Sequence, residues 1–231
     1  MNSCDTKKKE LITEKISSTK MPMSYAVSWH LTRFIVSVYF RGKYYNQKSV
    51  PKSGAFIIVS NHVSYLDPFI VGAAINRRIC YLCRESAFKW PIIGYLLKHW
   101  NAVPVDNAGR SPRGLKAILD RLKTGEAVML FPEGTRTYDR NLQRAHPGVG
   151  LVAMQSQSPV LPVRIFGIWE AYNRYMRFPR PKQVSVVFGN PITFIEKYEE
   201  AKTSTPARLK QIYQEIANEI MNAIAQIKLT D

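Results

Sequence analysis

The chain has 231 residues, 45% of them hydrophobic, enough to bury a core and to exclude a polypeptide disordered throughout. Lys and Arg number 33 against 17 Asp and Glu, a net charge of +16, so the molecule requires a polyanionic neighbour: nucleic acid, an anionic lipid surface or a phosphorylated substrate. The three cysteines, Cys4, Cys80 and Cys83, are too few and too unevenly spaced for a disulfide framework and indicate a reducing compartment.

Residues 1–20 are polar and Lys-rich and are expected to form a frayed tail. Residues 21–40 turn apolar and aromatic, but His30 and Arg33 interrupt them; a spanning helix needs about twenty predominantly apolar residues. The long polar leader and the lack of a small-residue cleavage site also fit a secretory signal poorly. The segment is expected to be a helix packed on the domain or lying in the membrane interface. The rest, 41–231, reads as one domain.

From residue 55 onward, strand-like runs (55–59, 79–82, 127–131, 160–165 and 184–188) alternate with helical ones. This predicts an α/β fold, a mixed and largely parallel sheet flanked by helices. Cys80 and Cys83 match C-x-x-C but fall in a run that reads as a buried strand, so they are expected to be core thiols rather than redox or metal ligands. A helix is marked by Ser111 as N-cap, Pro112 in its first turn, the apolar face Leu115, Ile118, Leu119 and Leu122, and Gly125 as the stop. The last helix opens at Thr205-Pro206 and carries one stripe through Leu209, Ile212, Tyr213, Ile216, Ile220, Ala223, Ile224 and Ile227.

Two short blocks carry the chemistry. In Asn61-His62-Val63-Ser64-Tyr65-Leu66-Asp67, His62 leaves the end of a strand, where sites in open α/β sheets collect. Five steps of about 100° would put His62 and Asp67 about 140° apart on one helix. They meet if His62 is on the loop and Asp67 opens the next helix, with Pro68 in its first turn. Asp67 then fixes the imidazole tautomer, and the free ring nitrogen takes a proton from an alcohol. The plainer reading is a helix cap beside a structural histidine. Asn61 suits a bracing role in the turn.

In Phe131-Pro132-Glu133-Gly134-Thr135-Arg136, Gly134 permits a tight turn. Arg136 offers a planar fork suited to phosphate, while Glu133 binds a substrate hydroxyl or holds Arg136. An exposed loop with a surface ion pair is the plainer alternative.

Taken together, the two blocks resemble those of the glycerolipid acyltransferases, most closely the bacterial 1-acylglycerol-3-phosphate acyltransferases, over about residues 42–191. The resemblance implies His62 as general base and Asp67 as its orienting partner. It implies an acceptor site at Glu133, Gly134 and Arg136, with which Asn61 and Thr135 are grouped; Arg84 stands where the family usually has Lys and is expected to be a further anion contact, and Arg110 is a candidate substitute for an Arg the family usually has nearby. Pro162 and Val163, in a weaker match, correspond to a block that helps shape the acyl-binding region, and His146-Pro147-Gly148 to a helix start. The implied reaction moves a fatty acyl group from acyl-CoA or acyl carrier protein to the free hydroxyl of 1-acylglycerol-3-phosphate, a lysophospholipid, making phosphatidic acid, with no metal or other cofactor. It would occur at the cytoplasmic face of the membrane, through a peripheral or monotopic attachment. One departure is Asn107, where the family usually has Arg, which leaves a different lysolipid acceptor open.

Aromatic and basic residues alternate from Trp169 to Lys182 and suit a headgroup region. The rival from another class is a basic nucleic-acid-binding protein, but no nucleic-acid module is recognisable and the two blocks would have no purpose. A serine hydrolase is disfavoured because no Gly-x-Ser-x-Gly elbow occurs.

Overall fold

The computed structural model of the protein describes residues 21–105 and 112–229. The expected tail, Cys4, the Ser111 cap, and the positions Asn107 and Arg110 lie outside the described residues.

Among the described residues, seven strands form one sheet in the order β1-β7-β6-β2-β5-β3-β4: β1 Lys43–Tyr45, β2 Phe56–Ser60, β3 Ile79–Arg84, β4 Ala102–Val105, β5 Ala127–Leu130, β6 Val160–Phe166 and β7 Ser185–Phe188. Every pairing is parallel except β6 with β7. This is the mixed, largely parallel sheet that the alternation of elements predicted. β2 lies centrally and all five of its residues are buried, as expected of a parallel strand covered on both faces.

The pleat sends alternate side chains into two cores. Phe56 and Ile58 join Ile79, Met129, Leu161 and Val163 on one face. Ile57 and Val59 join Cys80, Val128, Leu130 and Val160 on the other. The first face is covered by α1 (Met23–Val38) and α2 (Asp67–Ala73). The second is covered by α4 (Pro112–Lys123), α5 (Pro147–Ser156) and α8 (Pro206–Gln226). The remaining helices are α3 (Pro91–His99), α6 (Ile168–Ala171) and α7 (Ile195–Ala201).

Helix α8 buries Ile212, Ile216, Ile220 and Ile224, four residues apart along the predicted stripe, and Thr205 caps its start by accepting from the Arg208 N–H. Gly150 lets α5 meet α8 closely, since a Cβ there would run into the Tyr213 carbonyl. Cys80 is buried in the core, as a plain core thiol should be, and burial pushes its thiol up to about 12.

Helix α1 buries Tyr25 and Val36 against the protein but turns polar groups inward beside them. Its polar groups serve the protein: Trp29 Nε1 donates to the carbonyls of Gly72 and Ile75, both at 3.0 Å, and Arg33 Nη1 to that of Ala73 at 3.0 Å. These carbonyls lie at the end of α2, where that of Gly72 also accepts from the Ile75 N–H at 3.1 Å, and Arg33 places a cation at that negative helix end. The apolar side chains Val27, Leu31, Phe34, Ile35 and Val38 are exposed instead. Among the described residues no helix is long and apolar enough to cross a membrane.

Candidate active site

His62 leaves the carboxyl end of β2, and Phe131 that of β5. Because the two strands are parallel neighbours, with Val59 opposite Leu130, both loops emerge at one rim of the sheet. Asp67 opens α2 with Pro68 in the first turn, the placement that lets it turn back on His62.

The His62 Nδ1 to Asp67 Oδ2 distance is 2.9 Å. Asp67 is fully buried, and its Oδ2 also accepts from the N–H groups of Val63 at 2.6 Å and Ser64 at 2.8 Å. These donors hold the carboxylate in place, and with Nδ1 donating to it, Nε2 is left as the ring's proton acceptor. Asp67 Oδ1 is buried with no hydrogen-bond donor among the described residues. The imidazole stacks on Phe131, centroids 3.9 Å apart and planes 17° off parallel, and its side chain keeps 17% exposure. It is fixed in orientation yet reachable.

Glu133 is buried, and its two oxygens accept from different segments: the His62 N–H at 2.9 Å and the Gln143 N–H at 3.1 Å. Burial pushes its carboxyl above the usual range, and these two N–H groups oppose the shift. Thr137 adds a second tie, its N–H donating to the His62 carbonyl at 2.7 Å. Gly134 has φ +67°, the left-handed region, and a Cβ there would sit 2.9 Å from His146 Cδ2. The Gly134 N–H donates to the Phe131 carbonyl, so this N–H is engaged within the turn rather than presented as an oxyanion donor.

Arg136 spreads its guanidinium over the exposed Tyr65 ring at 3.5 Å, which joins the two blocks at their outer edge. Thr135 is exposed beside it. Asn61 is buried beneath the histidine, where its amide accepts from Ile165 N at 2.8 Å and donates to Ile165 O at 3.2 Å. The amide thus pins the start of the loop to β6. Pro162 and Val163 lie buried within β6, opposite Val59 and Ser60. Arg84 is exposed at the end of β3. Ser64 is fully buried and its hydroxyl accepts from the Leu66 N–H, a poor setting for a nucleophile.

Several contributors carry no motif signal: the Phe131 ring as a platform, Thr137 and Gln143 as ties, and Tyr65 under Arg136. The sequence places Tyr65 and Phe131 inside the two blocks, but only their convergence shows what they touch. A shallow hollow open to solvent lies between α1, α2 and β3 and is lined by Tyr25, Trp29, Phe69, Gly72, Tyr81 and Trp100 among others. Gly72 matters there because any Cβ would strike the Tyr81 hydroxyl.

A family model described as Acyltransferase matches residues 41–166, more than half of the chain. The chain is 33% identical over 127 residues to a 1-acyl-sn-glycerol-3-phosphate acyltransferase of Bacillus subtilis, covering 54% of this chain and 62% of that protein. It is 27% identical over 128 residues to a lyso-ornithine lipid O-acyltransferase of Rhodobacter capsulatus, covering 55% of this chain and 45% of that protein. The matched part thus spans less than two thirds of either relative. A solved structure, that of the 1-acyl-sn-glycerophosphate acyltransferase of Thermotoga maritima, is similar with a TM-score of 0.66 at 20% identity, covering 87% of this chain and 81% of that chain. That likeness shows the fold.

Proposed function

We propose, from the premise that this chain belongs to the acyltransferase family, that it moves a fatty acyl group from an acyl thioester to the free hydroxyl of 1-acylglycerol-3-phosphate. The observation that carries the reading is the 2.9 Å pair of His62 and buried Asp67 beside a loop ending in Arg136. His62 Nε2 removes the acceptor hydroxyl proton as that oxygen attacks the thioester carbonyl. The tetrahedral intermediate expels the thiolate, which takes the proton back from the imidazolium, and the products are phosphatidic acid and free thiol. A positioned base of this kind contributes roughly 10²- to 10⁴-fold. No covalent enzyme intermediate is required.

Arg136 grips the acceptor phosphate through its planar fork. Glu133 supports that grip indirectly by fastening the Gln143 end of the loop to His62. The donor thioester is acyl-CoA or acyl carrier protein. The exposed stripe of α1 and the aromatic and basic residues from Tyr172 to Lys182 bring the site to an anionic lipid surface, where each basic residue adds about 1 kcal/mol.

A second acceptor reading is favoured by one comparison. The Rhodobacter capsulatus relative is named for a lyso-ornithine lipid, and Asn107 stands here where the family usually has Arg. A screen with one labelled acyl-CoA against lysophosphatidate, other lysophospholipids and lyso-ornithine lipid decides between them. Diacylated product from lysophosphatidate at the highest kcat/KM is expected. Release of free fatty acid at the same rate with or without any lysolipid would make the protein a thioester hydrolase.

A further inference from the structure

The loop that ends in Arg136 is held from outside both sequence blocks. Arg174, 38 residues away, donates from Nη1 to the Arg136 carbonyl at 2.9 Å, and its guanidinium lies 3.7 Å from the centre of the Tyr138 ring. The same segment sends the Tyr175 hydroxyl to the Tyr138 carbonyl at 3.0 Å, and Glu170 meets Arg140 at 3.2 Å. Four contacts therefore clasp residues 136–140 from α6 and the turn after it.

That turn is itself built to stay put. Asn173 is buried; its amide donates to the Trp169 carbonyl and accepts from the Tyr175 N–H, both at 2.9 Å. The Arg180 N–H closes the segment onto the Ala171 carbonyl at 2.7 Å. An arginine whose fork both bonds a carbonyl and covers a ring has few other positions open to it.

We infer that Arg174 is a positioning residue for acceptor binding: by fixing the Arg136 carbonyl and the Tyr138 ring, it sets where the Arg136 guanidinium meets the acceptor's phosphate. Arg174 does not touch the acceptor. Its work is to reduce the freedom that the Arg136 loop would otherwise lose on binding. With Arg174 holding the backbone and Tyr65 the side chain, Arg136 is constrained at both ends. This rests on the reading of Arg136 as the phosphate clamp.

Steady-state kinetics with lysophosphatidate and acyl-CoA on the full chain test it through a double-mutant cycle. Arg174→Gln is expected to raise the lysophosphatidate KM on the order of tenfold, the scale of one hydrogen bond from a charged group, with the acyl-CoA KM unchanged. Arg174→Lys, which keeps a donor but loses the planar stack, is expected to fall between. Tyr138→Leu leaves the Arg174 carbonyl bond available and is expected to give a smaller rise, so the inference stays testable should Arg174→Gln fold poorly. In an Arg136→Ala background, Arg174→Gln is expected to add less than about twofold, because nothing remains to be positioned. An equal penalty in both backgrounds would mean that Arg174 binds the phosphate itself, and an unchanged KM in Arg174→Gln alone would remove its role while leaving Arg136 in place. An unchanged KM in Arg136→Ala would end the clamp reading and this inference together.

Discussion

The loops after β2 and β5 meet at one rim but are held in opposite ways. In the first, the Asp67 carboxylate gathers His62 Nδ1 and the N–H groups of Val63 and Ser64, all within six residues, so the geometry is local and buried. In the second, Glu133 bonds across to His62 and along to Gln143, while Arg136 rests on Tyr65 and is bonded by Arg174. The difference follows from the tasks proposed for them. A proton-transfer pair loses rate with small displacements, whereas an arginine that grips a phosphate tolerates adjustment and gains from being held at its edges.

The contrast breaks most sharply at the base. His62→Ala is expected to lower kcat by at least roughly 10²- to 10⁴-fold with the fold retained, since the ties of His62 to Glu133 and Thr137 run through its main chain rather than its ring. Activity near wild type would remove His62 from the mechanism. Asp67→Asn should lower kcat by about a hundredfold, and here the melting temperature should fall as well, because a neutral amide replaces a carboxylate that anchors three N–H groups. A loss of activity without loss of stability would show that the carboxylate serves the ring alone.

The second loop should respond in binding and stability more than in turnover. Gly134→Ala forces a Cβ to 2.9 Å from His146 Cδ2 in a left-handed backbone, at a cost of about 1 to 2 kcal/mol, and should raise the acceptor KM while sparing thioester binding. An unchanged KM and melting curve would show that the turn relaxes freely.

Glu133 supplies a pH test. Its folded-state carboxyl is raised by burial, so the stability it contributes is fully present below the unfolded carboxylate value, about 4.3, and is lost as pH rises through the raised folded value. The melting-temperature advantage of wild type over Glu133→Gln should therefore shrink as pH rises from that range toward neutrality, and a widening gap would mean that the two N–H bonds outweigh burial. The smallest expected effect is at Cys80, whose thiol burial raises to about 12; alkylation of the native protein at neutral pH should leave it unmodified until the chain is unfolded.

Much of this was legible along the chain. The apolar runs at β2, β5 and β6, the Thr205-Pro206 start of α8 and its stripe, and the placing of Asp67 at a helix start all appear where local pattern puts them. Two short strands escaped, β1 and β4. Lys43–Tyr45 has three residues, too few for alternation to register, and Ala102–Val105 contains Pro104. Proline in a strand ordinarily argues against one, but β4 ends the strand order and pairs only with β3, and an edge strand tolerates the missing N–H.

Helix α1 shows the limit most plainly. His30 and Arg33 broke its apolar run in sequence, yet Arg33 and Trp29 face the carbonyls at the end of α2 while much of the apolar surface looks out, an arrangement that depends on where α2 ends against α1.

By itself, then, the sequence determined the alternation of strands and helices, the central buried strands, and the two blocks whose residue types suit acyl transfer, because periodicity, caps and turn residues act between near neighbours. Only the tertiary structure decided that Glu133 bonds His62 across 71 positions, that Tyr65 lies under Arg136, and that Arg174 clasps the Arg136 loop from 38 positions away. Those contacts are between residues that strand order alone brings together, and no local preference encodes a partner the chain has yet to meet.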